Sequence, residues 1–199
     1  MASQITHVVY GKKIFGRLSG FSWADFLIGT LFPDIRYVAK IDRDKLHQFN
    51  TSEDLIPKDN SFEAGKYVHW LIDEKREKSN IERGIYNLMP KEKYMHASLK
   101  LVEDELVYHR IDDWVEIIKL LDNYPKEELS NGINKEVIEY WHGLLKKYFQ
   151  KGPSLSTWRE MILGMGFDRE VAEDVLNQTK TIKDNPEVIG IIKATFEII

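Results

Sequence analysis

The chain has 199 residues, 43% of them hydrophobic and 12% aromatic, enough to bury a core and to exclude general disorder. Its 28 basic residues face 32 acidic ones for a net charge of −4, so no global positive field is available to hold a nucleic acid through counterion release. Cysteine is absent, which excludes disulfides, thiolate metal sites and cysteine nucleophiles, and any metal must be held by His, Asp or Glu.

This length predicts a single helical domain over 1–199, read as metal-site helices (5–78), core helices (79–150) and a C-terminal helical extension (154–199). No basic start with an apolar run and cleavage site opens the chain, and no stretch of about 18 apolar residues occurs. The expectation is a cytoplasmic protein without a membrane span.

Ser3 is placed to cap a first helix to about Leu18, with His7, Gly11, Ile14 and Leu18 on one stripe. Gly20 ends it. From Phe21 to Phe32 the chain is almost continuously apolar, which suits a buried helix closed by Pro33, leaving Asp34 just past its end. The segment from Arg36 to Lys58 reads as short helical or irregular pieces carrying His47. Ser61 is expected to cap the next helix, with Phe62, Gly65, His69 and Ile72 facing inward ahead of the charge run Asp73 to Lys78. After Pro90, Met95, Leu99, Val102 and Leu106 are in helical phase, then Trp114, Ile117, Ile118 and Leu121, with a break near Ile111. Amphipathic segments follow at Asn134–Phe149, Ser156–Leu163, Arg169–Thr179 and from Pro186 onward, and strand-like alternation is nowhere sustained. The predicted fold is all-α.

His69 and Asp73 carry the strongest local chemical signal. Four residues of helix turn side chains by only about 40°, so both reach one face and can grip one ion. Asp73 continues the apolar stripe of Phe62, Gly65 and Val68, where an unpaired carboxylate costs several kcal/mol and a metal would remove that cost. A His–Asp hydrogen bond bridging neighbouring helices satisfies the same pair. Asp34, in Gly29-Thr-Leu-Phe-Pro-Asp34-Ile, is rigidly aimed and set in surroundings too apolar for a simple turn.

Taken together, His7, Gly29-x-x-x-Pro33-Asp34, His47 and Gly65-x-x-x-His69-x-x-x-Asp73 resemble the zinc-dependent phospholipase C/P1 nuclease superfamily over about residues 5–78. The resemblance implies a multi-helix bundle that hydrolyses phosphodiesters. Asp34, His47, His69 and Asp73 would bind one metal, and His7 with Asp73 as a bridge a second. The ion would be zinc, with iron, manganese or nickel as alternatives. The family's third metal would fall to His96, His109 and Asp113, although continuous helix would turn His96 and His109 by about 220° onto nearly opposite faces.

The function expected is therefore a metal-dependent hydrolase, a phosphoesterase acting through metal-activated water on a small-molecule or lipid phosphate ester. Asp34 and Asp73 are the candidate assisting carboxylates. Arg36, Arg43 and Lys45 lie close in sequence and can neutralise a phosphate or simply be solvated loop charges. The alternative is a non-catalytic helical protein with a structural metal or a His/Asp packing network, with its C-terminal helices free to act as a protein-binding scaffold. Glu139-x-x-His142 matches one half of a di-iron motif without a second copy.

Overall fold

The computed structural model describes residues 3–47, 50–89 and 91–198, and these form helices and turns without a strand. The first helices are α1 (Gln4–Phe15), α2 (Trp23–Leu31), the short α3 (Arg36–Ala39) and α4 (Arg43–Leu46), and the long central α5 (Ser61–Glu82). The chain continues as α6 (Met95–Val107), α7 (Trp114–Leu120), α8 (Lys126–Ser130), α9 (Lys135–Lys151), α10 (Leu155–Gly164), α11 (Arg169–Lys183) and α12 (Pro186–Ile198). No helix among the described residues is long and apolar enough to cross a membrane.

The closest helix pair is α2 on α5, and two glycines make it possible. A Cβ added at Gly29 would meet the Phe62 carbonyl oxygen at 2.1 Å, and one at Gly65 would meet that of Phe26 at 2.0 Å. Backbone lies on backbone there, with Phe26, Leu27, Phe62, Val68 and Ile72 buried around the crossing. Both glycines belong to the motif spacing that drew attention in the sequence. Their role is to bring the end of α2 against the middle of α5.

Two expected caps are corrected. Asn60, not Ser61, caps α5: its backbone is extended and its side chain accepts from the Glu63 N–H at 2.9 Å. Ser61 is already helical, and its hydroxyl receives the Ser22 N–H at 2.9 Å. Ser3 makes no side-chain cap, because its hydroxyl donates to Asp104 Oδ1 at 3.0 Å. Helix α1 stops at Phe15 rather than Leu18, since Gly16 and Gly20 weaken further helix and the chain turns there.

Asp104 is buried on α6 and also accepts from the Thr6 N–H and hydroxyl, each at 2.8 Å, and from Tyr148 at 3.0 Å. It fastens the start of α1 to α6 and α9. The expected break near Ile111 is present: α6 ends at Val107, a single 3-10 turn follows, and Ile111 is extended. Gly166, at φ +84°, lets α10 turn back into α11. The C-terminal helix packs on α1 and α5, with Phe196 against Tyr10 and the Thr195 hydroxyl 2.9 Å from that of Ser79.

Candidate metal centre

Two histidines of the site, His7 and His69, are each held by Nδ1, which leaves Nε2 to point inward. His7, in the first turn of α1, donates from Nδ1 to the Ser3 carbonyl at 2.6 Å. His69 on α5 donates from Nδ1 to the Thr30 carbonyl at 2.9 Å; Thr30 lies in the last turn of α2, where helix carbonyls lack partners on their own helix. With the proton on Nδ1, neutral His69 turns a bare Nε2 lone pair toward the centre, and His7 aims its Nε2 the same way, toward Asp73. The two rings stack, with centroids 4.0 Å apart and planes 8° from parallel. His7 Nε2 is buried with no hydrogen-bond partner among the described residues, and Asp73 Oδ1 lies 3.5 Å away.

His47 follows α4 in extended backbone, and the preceding Leu46 carbonyl accepts the Trp70 indole N–H at 2.8 Å. Its Nε2 comes within 3.3 Å of His69 Nε2, while its Nδ1 is buried without a partner among the described residues. A proton on His47 Nε2 can bridge the two rings. A cation in the same place would satisfy both lone pairs and the carboxylates beside them.

Those carboxylates are Asp34 and Asp73. Pro33 opens the tight turn Phe32–Ile35 that carries Asp34, and Gln4 Nε2 donates to Asp34 Oδ2 at 2.8 Å. Asp73, one turn beyond His69, places its oxygens 3.5 Å from His7 Nε2 and 3.8 Å from His69 Nε2. Ligand atoms fall within 4.8 Å of one another in two sets sharing His69: His7, Asp34 and His69, and His47, His69 and Asp73. All five residues expected from the sequence thus converge. The chemistry of the donor set, imidazole nitrogen with carboxylate oxygen, suits zinc and neighbouring transition metals.

Burial and charge pull these groups in opposite directions. Burial pushes the His69 imidazole down to about 3 and that of His47 down to about 4, so both stay neutral and free to bind a cation at neutral pH. Burial also pushes His7 down, but Asp73 and Asp34 reverse this and leave it raised. Burial alone would raise Asp34, yet attraction to His69, Lys100 and His7 brings it down to about 2. Asp73 is held well below the carboxylate range by Lys100, His7 and His69 against the same burial.

The cluster opens on one side. Asp34, His47 and Asp73 line a cavity of about 780 Å³ whose wall also carries Arg36, Arg43, Arg76 and Lys100. Lys100 Nζ lies 3.4 Å from Asp73 Oδ1. Lys100 reaches the site from a residue distant in sequence, and no spacing pattern announces it; Gln4, three residues before His7 on α1, and Arg76, three past Asp73 on α5, each lie one turn from a site residue.

The remaining candidates are not brought together. His96 packs against Tyr86 with ring centroids 4.6 Å apart, and His109 is exposed in the turn after α6. Asp113 caps α7 through the Glu116 N–H at 3.1 Å. The helix break near Ile111 does not reunite them. His142 ignores Glu139 and pairs with buried Glu128 on α8 at 2.9 Å, its Nδ1 being 3.0 Å from the Leu121 carbonyl. No family model, no curated protein and no solved structure matches this chain.

Proposed function

We propose that this protein is a metal-dependent hydrolase of phosphate esters, of the phospholipase C/P1 nuclease type, with His7, Asp34, His47, His69 and Asp73 holding one or two ions. The observation that carries this reading is the convergence of three imidazole Nε2 atoms and two carboxylates beside an open cavity. A closed cage would fit a structural ion; an open side admits water and substrate. Zinc or a similar ion supplies Lewis acidity toward a phosphoryl oxygen and lowers the pKa of a water toward neutrality.

The protein's own groups do the rest. Ser3 and Thr30 carbonyls fix the tautomers of His7 and His69, and Gln4 fixes Asp34. Asp34 and Asp73 are positioned to accept a proton from an attacking water. Arg36 and Arg43 on the cavity wall offset the charge of a phosphate. The substrate is then a small or lipid phosphate ester that enters from this side.

The contact between Lys100 and Asp73 favours one competing reading, in which the cluster is a packing network already neutralised by a protein cation. Zinc-loaded native protein assayed on chromogenic phosphate mono- and diesters separates the two. Hydrolysis that falls at least a hundredfold in His69→Ala and Asp34→Ala supports the hydrolase. A protein that takes up no zinc and turns over neither ester class supports the network.

A further inference from the structure

Arg76 is 3% exposed, yet it lines the cavity that begins at the metal centre. Its Nε donates to Glu103 on α6 at 2.5 Å, while its Nη2 is buried with no hydrogen-bond partner among the described residues. A guanidinium presents its donors as a planar fork, and an idle nitrogen in a buried cation carries a desolvation cost that a bound anion removes. Arg76 stands one turn past Asp73 on α5. Facing it from α6 is Lys100, one turn before Glu103, with its side chain 17% exposed and its ammonium on Asp73. Two cations from opposing helices therefore flank the carboxylate at the edge of the ligand cluster.

We propose that Arg76 and Lys100 form an oxyanion subsite beside the metal centre, one that grips the non-bridging oxygens of a phosphate group through the free edge of Arg76 and the ammonium of Lys100. Glu103 holds Arg76 through Nε and leaves Nη2 without a partner. Lys100 has a double role: its positive charge competes with a metal for Asp73, and once Asp73 serves the metal, its ammonium is released to the cavity. A phosphate bound there would sit between protein cations and the metal centre, where a water activated over Asp34 and Asp73 can reach it. The proposal rests on the phosphoester reading for its choice of ligand.

The test uses the full chain and inorganic phosphate as probe, titrated by calorimetry and phosphorus NMR into metal-free and zinc-loaded protein, with metal content measured in parallel. Lys100→Gln is expected to bind phosphate about tenfold more weakly, the loss of one charge-assisted hydrogen bond, while binding zinc as tightly as native protein or more so. Arg76→Lys keeps the charge and the Glu103 pair but loses the fork, and should weaken phosphate several-fold with the helical signal unchanged. Opposite movement of the two affinities in Lys100→Gln is the signature, since a merely structural lysine would lower both.

Unchanged phosphate affinity in Lys100→Gln, joint loss of phosphate and zinc, or no phosphate binding by native protein in either form overturns the subsite. Should Arg76→Lys fail to fold, Lys100→Gln decides alone. If native protein takes up no metal but binds phosphate through these two residues, the subsite stands and the hydrolase reading falls.

Discussion

The Nε2 atoms of His47 and His69 stand 3.3 Å apart, and His69 is oriented by its Nδ1 hydrogen bond to Thr30. Two imidazole nitrogens facing one another at this distance share either a proton or a cation, and Asp34 and Asp73 beside them favour the cation. Every prediction about the site follows from this geometry.

The Gln4 amide donates to Asp34 at 2.8 Å from within the core and touches no proposed substrate. Replacing it in Gln4→Ala should lower metal affinity by about 10- to 100-fold, as lost supports of ligating carboxylates do, while thermal stability of the metal-free protein changes little beyond the lost contact. Competition with a chromogenic chelator measures this. An unaltered affinity would mean that Asp34 is not a ligand.

Acid should destabilise the metal-free protein before any carboxylate titrates. His69 and His47 are held near 3 and 4 in the fold against 6.5 when exposed, so between these values the unfolded chain takes up protons that the fold refuses. Their contribution is complete above about pH 6.5 and shrinks as pH falls toward 4. His7, raised by Asp73, offsets part of this, and Asp34 adds a further loss below 3.8 as its carboxylate nears about 2. Melting temperatures recorded from pH 8 to 4 after chelation should therefore decline below about 6.5. A flat or rising curve over that range contradicts neutral His47 and His69.

The contact of α2 with α5 admits no side chain at its centre. Gly65→Ala would drive a Cβ to 2.0 Å from the Phe26 carbonyl, backbone against backbone, and must push the helices apart. The expected result is a loss of more than about 3 kcal/mol, or failure to fold, in urea titrations. Gly143→Ala, where an added Cβ meets nothing within 4 Å, should be tolerated or mildly stabilising. Equal behaviour of the two variants would remove the packing account.

Glu128 and His142 form a buried pair outside the site, 2.9 Å apart and 0% and 2% exposed. Glu128→Ala strands the imidazole and should cost about 3–5 kcal/mol by chemical denaturation, yet leave metal content untouched. Loss of metal in a folded Glu128→Ala would tie this pair to the centre and contradict its purely structural role.

Much of the site was legible because its ligands are spaced along local structure. Four residues on α5 align His69 with Asp73, and Pro33 fixes Asp34 at the end of an apolar helix; neither depends on distant packing. The glycines at 29 and 65 were visible as letters, but that each faces the other helix's backbone follows only from the crossing. Serine commonly caps helices, which makes Ser61 the expected cap, but the Asn60 side chain accepts the free Glu63 N–H. The third set failed for a tertiary reason. The break after α6 redirects the chain, and Asp113 is spent on capping α7.

Residues brought in from afar could not be read in advance. Lys100 reaches Asp73 across the gap between α5 and α6, and Gln4 reaches Asp34 across that between α1 and α2. Glu139 and His142 share a helix and were the visible pairing, but Glu128 on α8 arrives opposite the ring and wins, while Glu139 pairs with Lys135. Short-range periodicity places side chains on faces; which face meets which is settled by packing.

Whether the His/Asp cluster holds a metal is decided by metal content, measured by inductively coupled plasma mass spectrometry. Untagged protein prepared without chelator, in native form and as His69→Ala and Asp34→Ala, should be compared with folding checked by circular dichroism. One or two equivalents of zinc, iron, manganese or nickel in the native protein, lost in both folded variants, is the predicted result. A folded native protein that holds no metal, even after reconstitution, would contradict it and leave His7, Asp34, His47, His69 and Asp73 as a packing network.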